Sequence, residues 1–126
     1  MVGIVIVSHS APLAEGVLHL TGMMASACPV AVAGGADDGG YGTSYTKVKA
    51  AIEAVHGDDG VLVITDMGSS VMTAEMVLEE LCCPDVELVD CPLVEGAVAA
   101  TVSSVCGDSL ETVKQQAESA RGVPKF

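Results

Sequence analysis

A histidine, His9, stands between two serines where an apolar run ends, in the segment IVIVSHSAPLAEG (residues 4–16). An imidazole in this position can be a satisfied loop side chain, a metal ligand or a nucleophile. Asp66 follows a second apolar run, GVLVIT. If the two runs are neighbouring strands, the carboxylate can accept a hydrogen bond from one ring nitrogen. That bond fixes the tautomer and leaves the lone pair of the other nitrogen available for attack.

Donors for an anion follow Asp66 in the sequence MGSS. Its glycine lets backbone approach a ligand closely, and its serines are placed to open a helix whose first N–H groups lack partners. The serines beside His9 can add hydroxyl donors. Together these features predict a histidine that accepts a phosphoryl group, with His9 and Asp66 as the catalytic pair. The phosphate-binding residues in this interpretation are Ser8, Ser10, Gly68, Ser69 and Ser70.

Each of these features also has a simpler interpretation. His9 can place both nitrogens on backbone groups, and Asp66 can cap the helix that follows it. The glycine-rich segment GGADDGGYG lacks the G-K-[ST] of a P-loop, and its two aspartates would repel phosphate, so it is interpreted as a loop over the site and not as a metal site. His19 and His56 are expected to be structural or solvent-facing. A non-catalytic regulatory or small-anion-binding module therefore remains the alternative.

The elements that must position these residues alternate along the chain. Apolar or β-branched runs at 2–7, 29–33, 60–66 and 86–90 predict four strands, and helical patterns follow each of them. One domain over residues 1–126 is expected, with an α/β fold. It consists of a doubly wound, mainly parallel four-stranded sheet with helices on both faces and a helical C-terminal segment.

Three expectations concern the helices. The buried face of the first helix is predicted from helical spacing to carry Leu13, Val17, Leu20 and Met24. The second helix is predicted to be capped by Thr43 or Ser44 and to run to about Val55. The third is predicted to open at Ser69 or Ser70, the residues that also supply donors to the site.

Composition limits the partners. A formal net charge of −12 excludes nucleic acid and anionic membranes as expected partners, and no apolar stretch has membrane-spanning length. The five cysteines include no C-x-x-C pair, so they are expected to be small, buried hydrophobic side chains in a reducing, cytoplasmic compartment. No metal or cofactor is predicted.

Four segments carry a family resemblance: IVSHSAPLAEG, YGTSYTKVKAAIE, DGVLVITDMGSSVMTAEMVLEEL and CPLVEGAVAATV. Over residues 1 to about 120 the sequence resembles the mannose-type enzyme IIA family of the sugar phosphotransferase system (PTS). Within that family it is most similar to the phosphotransferase subunits of dihydroxyacetone kinases that use phosphoenolpyruvate.

The resemblance implies a phosphoryl relay. His9 would accept the group at Nε2 from phospho-HPr, the histidine phosphocarrier, and pass it to ADP held on a partner subunit of dihydroxyacetone kinase. Asp66 would orient the ring, the loop Gly68–Ser70 would lie beside it, and the chain would form a homodimer. The apolar residues expected to contribute to the docking surface are Met67, Val71 and Met72.

Overall fold

A computed structural model describes all 126 residues, from Met1 to Phe126. Four parallel strands form one sheet in the order β2-β1-β3-β4. The strands are β1 (Gly3–Ser8), β2 (Val30–Gly34), β3 (Val61–Thr65) and β4 (Val86–Val89). The helices are α1 (Ala11–Gly22), α2 (Tyr45–Val55), α3 (Gly68–Leu81), α4 (Leu93–Val105) and α5 (Leu110–Ser119), with a final 3-10 turn at Ala120–Gly122. The predicted α/β architecture is confirmed.

The sheet separates two hydrophobic cores, and β1 contributes to both. Ile4 and Ile6 pack with residues of α1, α4 and α5, whereas Val5 and Val7 pack with residues of α2 and α3. All four side chains are fully buried. Complete burial of a branched side chain stabilises the fold by about 1.5–3 kcal/mol, so β1 is a firm support for the residues that follow it.

The strand order places a crevice at the carboxyl ends of the two central strands, β1 and β3. The chain leaves β1 for β2 on one side and later returns to β3 on the other, so the connections after β1 and β3 diverge. Such a switch point, outside the carboxyl ends of the strands, is where open α/β sheets bind ligands. Val7 pairs with Thr65 in the register of β1 and β3, which brings the residues after each strand to the same place.

The prediction for the buried face of α1 is wrong for three of its four residues. Those three are Leu13, Leu20 and Met24, at 42%, 36% and 56% exposure. The buried face instead carries Ala14, Val17 and Thr21. Small residues are required because α1 approaches the sheet closely: a Cβ added at Gly34 would lie 2.7 Å from the Cα of Ala11.

The third helix begins earlier than predicted. It starts at Gly68, and its N-cap, Met67, makes no capping hydrogen bond through its side chain. The reason is Asp66, whose Oδ1 accepts the backbone N–H of Met67 at 2.8 Å and the hydroxyl of Ser70 at 2.6 Å. The carboxylate therefore fixes the N-cap residue and the side chain of Ser70, and it accepts no backbone N–H of the first turn itself. The second helix does follow the prediction, with Ser44 as its cap.

The cysteines are free but are not uniformly buried. Cys28 lies in the core, as expected, whereas Cys83 and Cys91 are half-buried and Cys82 and Cys106 are exposed. The expectation of buried cysteines is therefore wrong for the last two. None of the helices combines the length and the apolar character needed to cross a membrane.

Candidate functional site

His9 and Asp66 meet at the carboxyl edge of the sheet. They directly follow β1 and β3. The ring Nδ1 of His9 lies 3.0 Å from Oδ1 and 3.2 Å from Oδ2 of Asp66, and the backbone N–H of His9 donates to Oδ2 at 2.9 Å. A proton on Nδ1 suits this arrangement, because a carboxylate can only accept. The lone pair of neutral His9 is then on Nε2, and the expected meeting of the two residues is confirmed.

The Asp66 carboxylate is held by more donors than His9 alone. The hydroxyl of Ser8 donates to Oδ2 at 3.1 Å, and Met67 and Ser70 donate to Oδ1. Burial raises the pKa of Asp66, but the hydrogen bonds from Ser70, His9 and Met67 outweigh burial and lower it to about 2. The group facing the imidazole is therefore an anion at any physiological pH.

Ser8 and Ser70 face the carboxylate and not the open side of the ring. Both residues are fully buried, and both hydroxyls bond to Asp66. This placement departs from the expected role of direct phosphate donors. Sequence reasoning also missed Thr43 as a member of the site, since its hydroxyl lies 3.4 Å from that of Ser70. In the sequence, Thr43 could be identified only as a candidate helix cap.

Donors on the open side of the ring come from the start of α3. The exposed Ser69 places its Oγ within hydrogen-bonding distance of Nε2 of His9, whose side chain is 22% exposed. A side chain at Gly68 would meet nothing within 4 Å, so the space next to this residue is open. The first N–H groups of a helix lack intrahelical partners and favour an anion by about 0.3–1 kcal/mol. Ser10 lies nearby in sequence, where its Oγ caps α1 through the N–H of Leu13 at 3.3 Å.

The glycine-rich loop between β2 and α2 contacts His9 through the backbone. The N–H of Gly42 donates to the carbonyl of His9 at 3.0 Å, and its φ of +137° favours glycine there. The base of the loop is fixed by Lys47, whose ammonium donates at 3.0 Å to the carbonyls of both Gly34 and Ala36. Lys47 therefore positions this loop, a role that no sequence motif indicated.

A cavity of about 500 Å³ opens beside Asp66, between the ends of β3 and β4. Met67, Gly68 and Val71 contribute to its lining. Met67 is 65% exposed, as is Met72 at 66% on the next turn of α3. Exposed apolar side chains at the start of α3 therefore adjoin the site that contains His9 and Asp66. The site thus combines an oriented imidazole, an anion that holds it, and donors on its open side.

Comparison with known proteins identifies related sequences. The family model described as "PTS system fructose IIA component" (EIIA-man) matches residues 3–114. The "PEP-dependent dihydroxyacetone kinase, phosphoryl donor subunit DhaM" of Pantoea ananatis is 48% identical over 90% of this chain, and that of Escherichia coli is 46% identical over 90%. The chain spans about a quarter of the length of these two relatives (25% of each).

Other relatives are similar over most of their own length. The "PTS-dependent dihydroxyacetone kinase, phosphotransferase subunit DhaM" of Lactococcus lactis is 35% identical, over 92% of this chain and 93% of the relative. Among solved structures, the phosphotransferase system component EIIA of Streptococcus agalactiae superimposes with a TM-score of 0.72, over 100% of this chain and 98% of the other. At 19% identity, that likeness supports the fold alone.

Proposed function

The chain belongs to the EIIA-man family of PTS IIA components, and from this membership we propose that it is a phosphohistidine carrier. His9 accepts a phosphoryl group from phospho-HPr and passes it to ADP bound on a partner subunit of dihydroxyacetone kinase. The observation that carries the proposal is the pairing of Nδ1 of His9 with Asp66, which leaves Nε2 as the nucleophilic nitrogen. The names of the relatives support the choice of dihydroxyacetone kinase.

The transfer to His9 is a displacement at phosphorus. Nε2 attacks in line with the donor nitrogen, the new P–N bond forms as the old one breaks, and the electron pair of the old bond returns to the donor. Nε2 of neutral His9 has no proton to lose, so no general base is required. The ring gains positive character as the bond forms, and the Asp66 anion stabilises that charge.

The resting hydrogen bond between Ser69 and Nε2 must break for this attack. In the neutral tautomer the Ser69 hydroxyl donates to the lone pair of Nε2, so the bond protects the nucleophile until a donor arrives. When phosphorus takes that position, the same hydroxyl and the N–H groups at the start of α3 donate to phosphoryl oxygens. Ser10 is a further hydroxyl donor in this proposal, whereas Ser8 and Ser70 act by holding Asp66.

The carrier must dock two partners in turn on the surface around His9. We propose that Met67, Val71 and Met72 contribute apolar contacts there, and that a formal net charge of −12 favours partners with a basic face. A homodimer and a cytoplasmic location are also part of the proposal, and both rest on the family resemblance. Sedimentation of the purified chain tests the dimer: a monomer at micromolar concentration would contradict it.

The test of the relay is phosphorylation by phosphoenolpyruvate, enzyme I and HPr, followed by mass spectrometry under non-acidic conditions. We expect one acid-labile phosphoryl group on the wild-type chain and on His19→Gln and His56→Gln, and none on His9→Gln. A chain that stays unlabelled by a competent, matched HPr contradicts the proposal and favours the small-anion-binding alternative. Addition of the kinase subunits with ADP and dihydroxyacetone then tests the acceptor, because phosphate must leave His9 as dihydroxyacetone phosphate forms.

A further inference from the structure

An imidazole, a thiol and a carboxylate meet at the amino ends of the strands, at the end of the sheet opposite His9. His56 directly follows α2, and Cys83 and Asp85 lie in the connection between α3 and β4. A ring nitrogen of His56, Sγ of Cys83 and a carboxylate oxygen of Asp85 all lie within 4.8 Å of one another. We propose that these residues bind a zinc ion, at a site separate from the phosphoryl relay.

The spacing of the three atoms suits one ion. Zinc bonds to sulfur at about 2.3 Å and to nitrogen or oxygen at about 2.0–2.2 Å, so two ligands of the same tetrahedral ion stand roughly 3–4 Å apart. His56 and Asp85 are now hydrogen-bonded, with Nε2 2.9 and 3.0 Å from the carboxylate oxygens. A small opening of this pair admits the ion, which replaces one hydrogen bond by two bonds to metal.

The donor set selects the metal. Calcium and magnesium prefer oxygen ligands, whereas an imidazole, a thiolate and a carboxylate together suit zinc. Binding releases the thiol proton of Cys83. The ring proton of neutral His56, which Nε2 donates to Asp85 in the resting pair, moves by exchange with solvent to Nδ1, so that the lone pair of Nε2 can bind the ion. The three protein ligands leave the fourth tetrahedral position to water.

The backbone directs Cys83, and not its neighbour, toward this cluster. Cys82 ends α3 in the left-handed conformation, with φ of +51°, and its thiol lies 3.0 Å from the carbonyl of Glu79 on the helix. The exposed Cys82 is therefore a matched control for Cys83. A search for closely spaced cysteines misses this site because His56 and Asp85 are 29 positions apart and only the fold joins them.

A bound ion would link the connection before β3 to the connection before β4. Any ligand that binds only the folded chain raises its stability, so zinc should raise the melting temperature. The ion lies at the amino ends of the strands and His9 at their carboxyl ends, so phosphorylation of His9 is expected to continue without zinc. This difference separates the zinc proposal from the proposed relay.

Cobalt(II) titration of the reduced protein tests the site, because a thiolate ligand gives a charge-transfer band in the near ultraviolet. We expect the band at one equivalent of cobalt, and its displacement by zinc. Cys83→Ser should lose the band, while Cys82→Ser and His9→Gln should keep it. His56→Gln and Asp85→Asn should weaken binding by more than about tenfold, since even partners outside the first coordination shell contribute about 10- to 100-fold.

Circular dichroism of each variant shows whether it is folded. Asp85→Asn keeps the size of the side chain, whose side-chain hydrogen-bond partner is His56. Three results would overturn the proposal. One is the absence of a thiolate band in the wild-type chain. Another is a band that survives in Cys83→Ser or disappears in Cys82→Ser. The third is unchanged affinity in both folded variants at His56 and Asp85.

Discussion

The carboxylate of Asp66 binds both the side chain and the backbone of His9, with Nδ1 3.0 Å from Oδ1 and the backbone nitrogen 2.9 Å from Oδ2. Because both bonds from His9 reach the same planar carboxylate, they fix the orientation of the imidazole relative to β1. They also join the ends of β1 and β3 across the switch point of the sheet. The orientation of the nucleophile is therefore a property of the central strands, and mutations at this pair should separate orientation from folding.

Replacing Asp66 by asparagine should slow phosphorylation of His9 while the chain stays folded. The neutral amide cannot stabilise the developing positive charge, and its NH₂ group faces N–H donors on one side. Loss of the group that orients a metal-ligating histidine lowers affinity or activity by about 10- to 100-fold, and we expect a decrease of that size for His9. The measurement is the initial rate of label transfer from phospho-HPr.

Asp90→Asn is the matched control for this measurement. Asp90 follows β4 at the same end of the sheet and lines the cavity beside Asp66, but its exposed carboxylate pairs with Arg121 and makes no hydrogen bond to His9. The rate at which Asp90→Asn is phosphorylated should equal that of the wild-type chain. Equal rates in Asp66→Asn and Asp90→Asn would show that the carboxylate does not assist the transfer.

Acid stability should reveal the low pKa of Asp66. Its pKa falls from an ordinary 3.8 to about 2 on folding, so its contribution to stability is complete above pH 3.8 and is lost as the pH falls toward 2. The difference in the free energy of unfolding between the wild-type chain and Asp66→Asn should therefore be constant from neutral pH to about 3.8 and shrink below it. Urea denaturation at a series of pH values measures this difference, and a gap that stays constant between pH 3.8 and 2 would contradict the assignment.

The placement of His9 and Asp66 followed from sequence because it depends only on where two apolar runs end. Parallel strands end at the same edge of a sheet, and the runs before His9 and Asp66 are buried on both faces. The roles of Ser69 and Ser70 did not follow. Both hydroxyls contact the ring, and which of them meets Nε2 and which meets Nδ1 and Asp66 depends on the residue at which α3 begins.

Helical spacing also could not decide how α1 packs. The larger apolar residues of α1 fit a helical face, yet the side that meets the sheet carries Ala14 and Val17. The choice depends on the distance between helix and sheet, which the glycine at position 34 permits to be short. Similarly, the meeting of His56 with Cys83 depends on the connections at the amino edge of the sheet, which no local pattern encodes.

The two serines at the start of α3 should respond differently to removal of their hydroxyls. Ser70→Ala removes a buried donor to Asp66, and such a loss costs about 1–3 kcal/mol in the free energy of unfolding. Ser69→Ala changes an exposed residue, so its stability should stay within about 0.5 kcal/mol of the wild-type value.

Transfer rates complete this comparison. Ser69→Ala should slow phosphorylation by about 10- to 100-fold, because a hydrogen bond to a charged oxygen contributes about 1.5–3 kcal/mol. Urea denaturation and label transfer from phospho-HPr measure the two quantities on the same samples. If Ser69→Ala is phosphorylated at the wild-type rate, the Ser69 hydroxyl does not assist the transfer.

Gly68→Ala tests whether backbone at the start of α3 must approach the phosphoryl group. The added Cβ meets no atom within 4 Å, so the fold should keep its stability. The methyl group nevertheless occupies open space beside the helix N–H groups, where the proposed phosphoryl oxygens lie, and should slow transfer several-fold. Gly57→Ala is the matched control, since its Cβ also meets nothing within 4 Å and it follows His56 at the opposite edge of the sheet. If both variants transfer phosphate at the wild-type rate, the backbone at Gly68 need not approach the phosphoryl group. Only hydroxyl groups would then act as donors on the open side of the His9 ring.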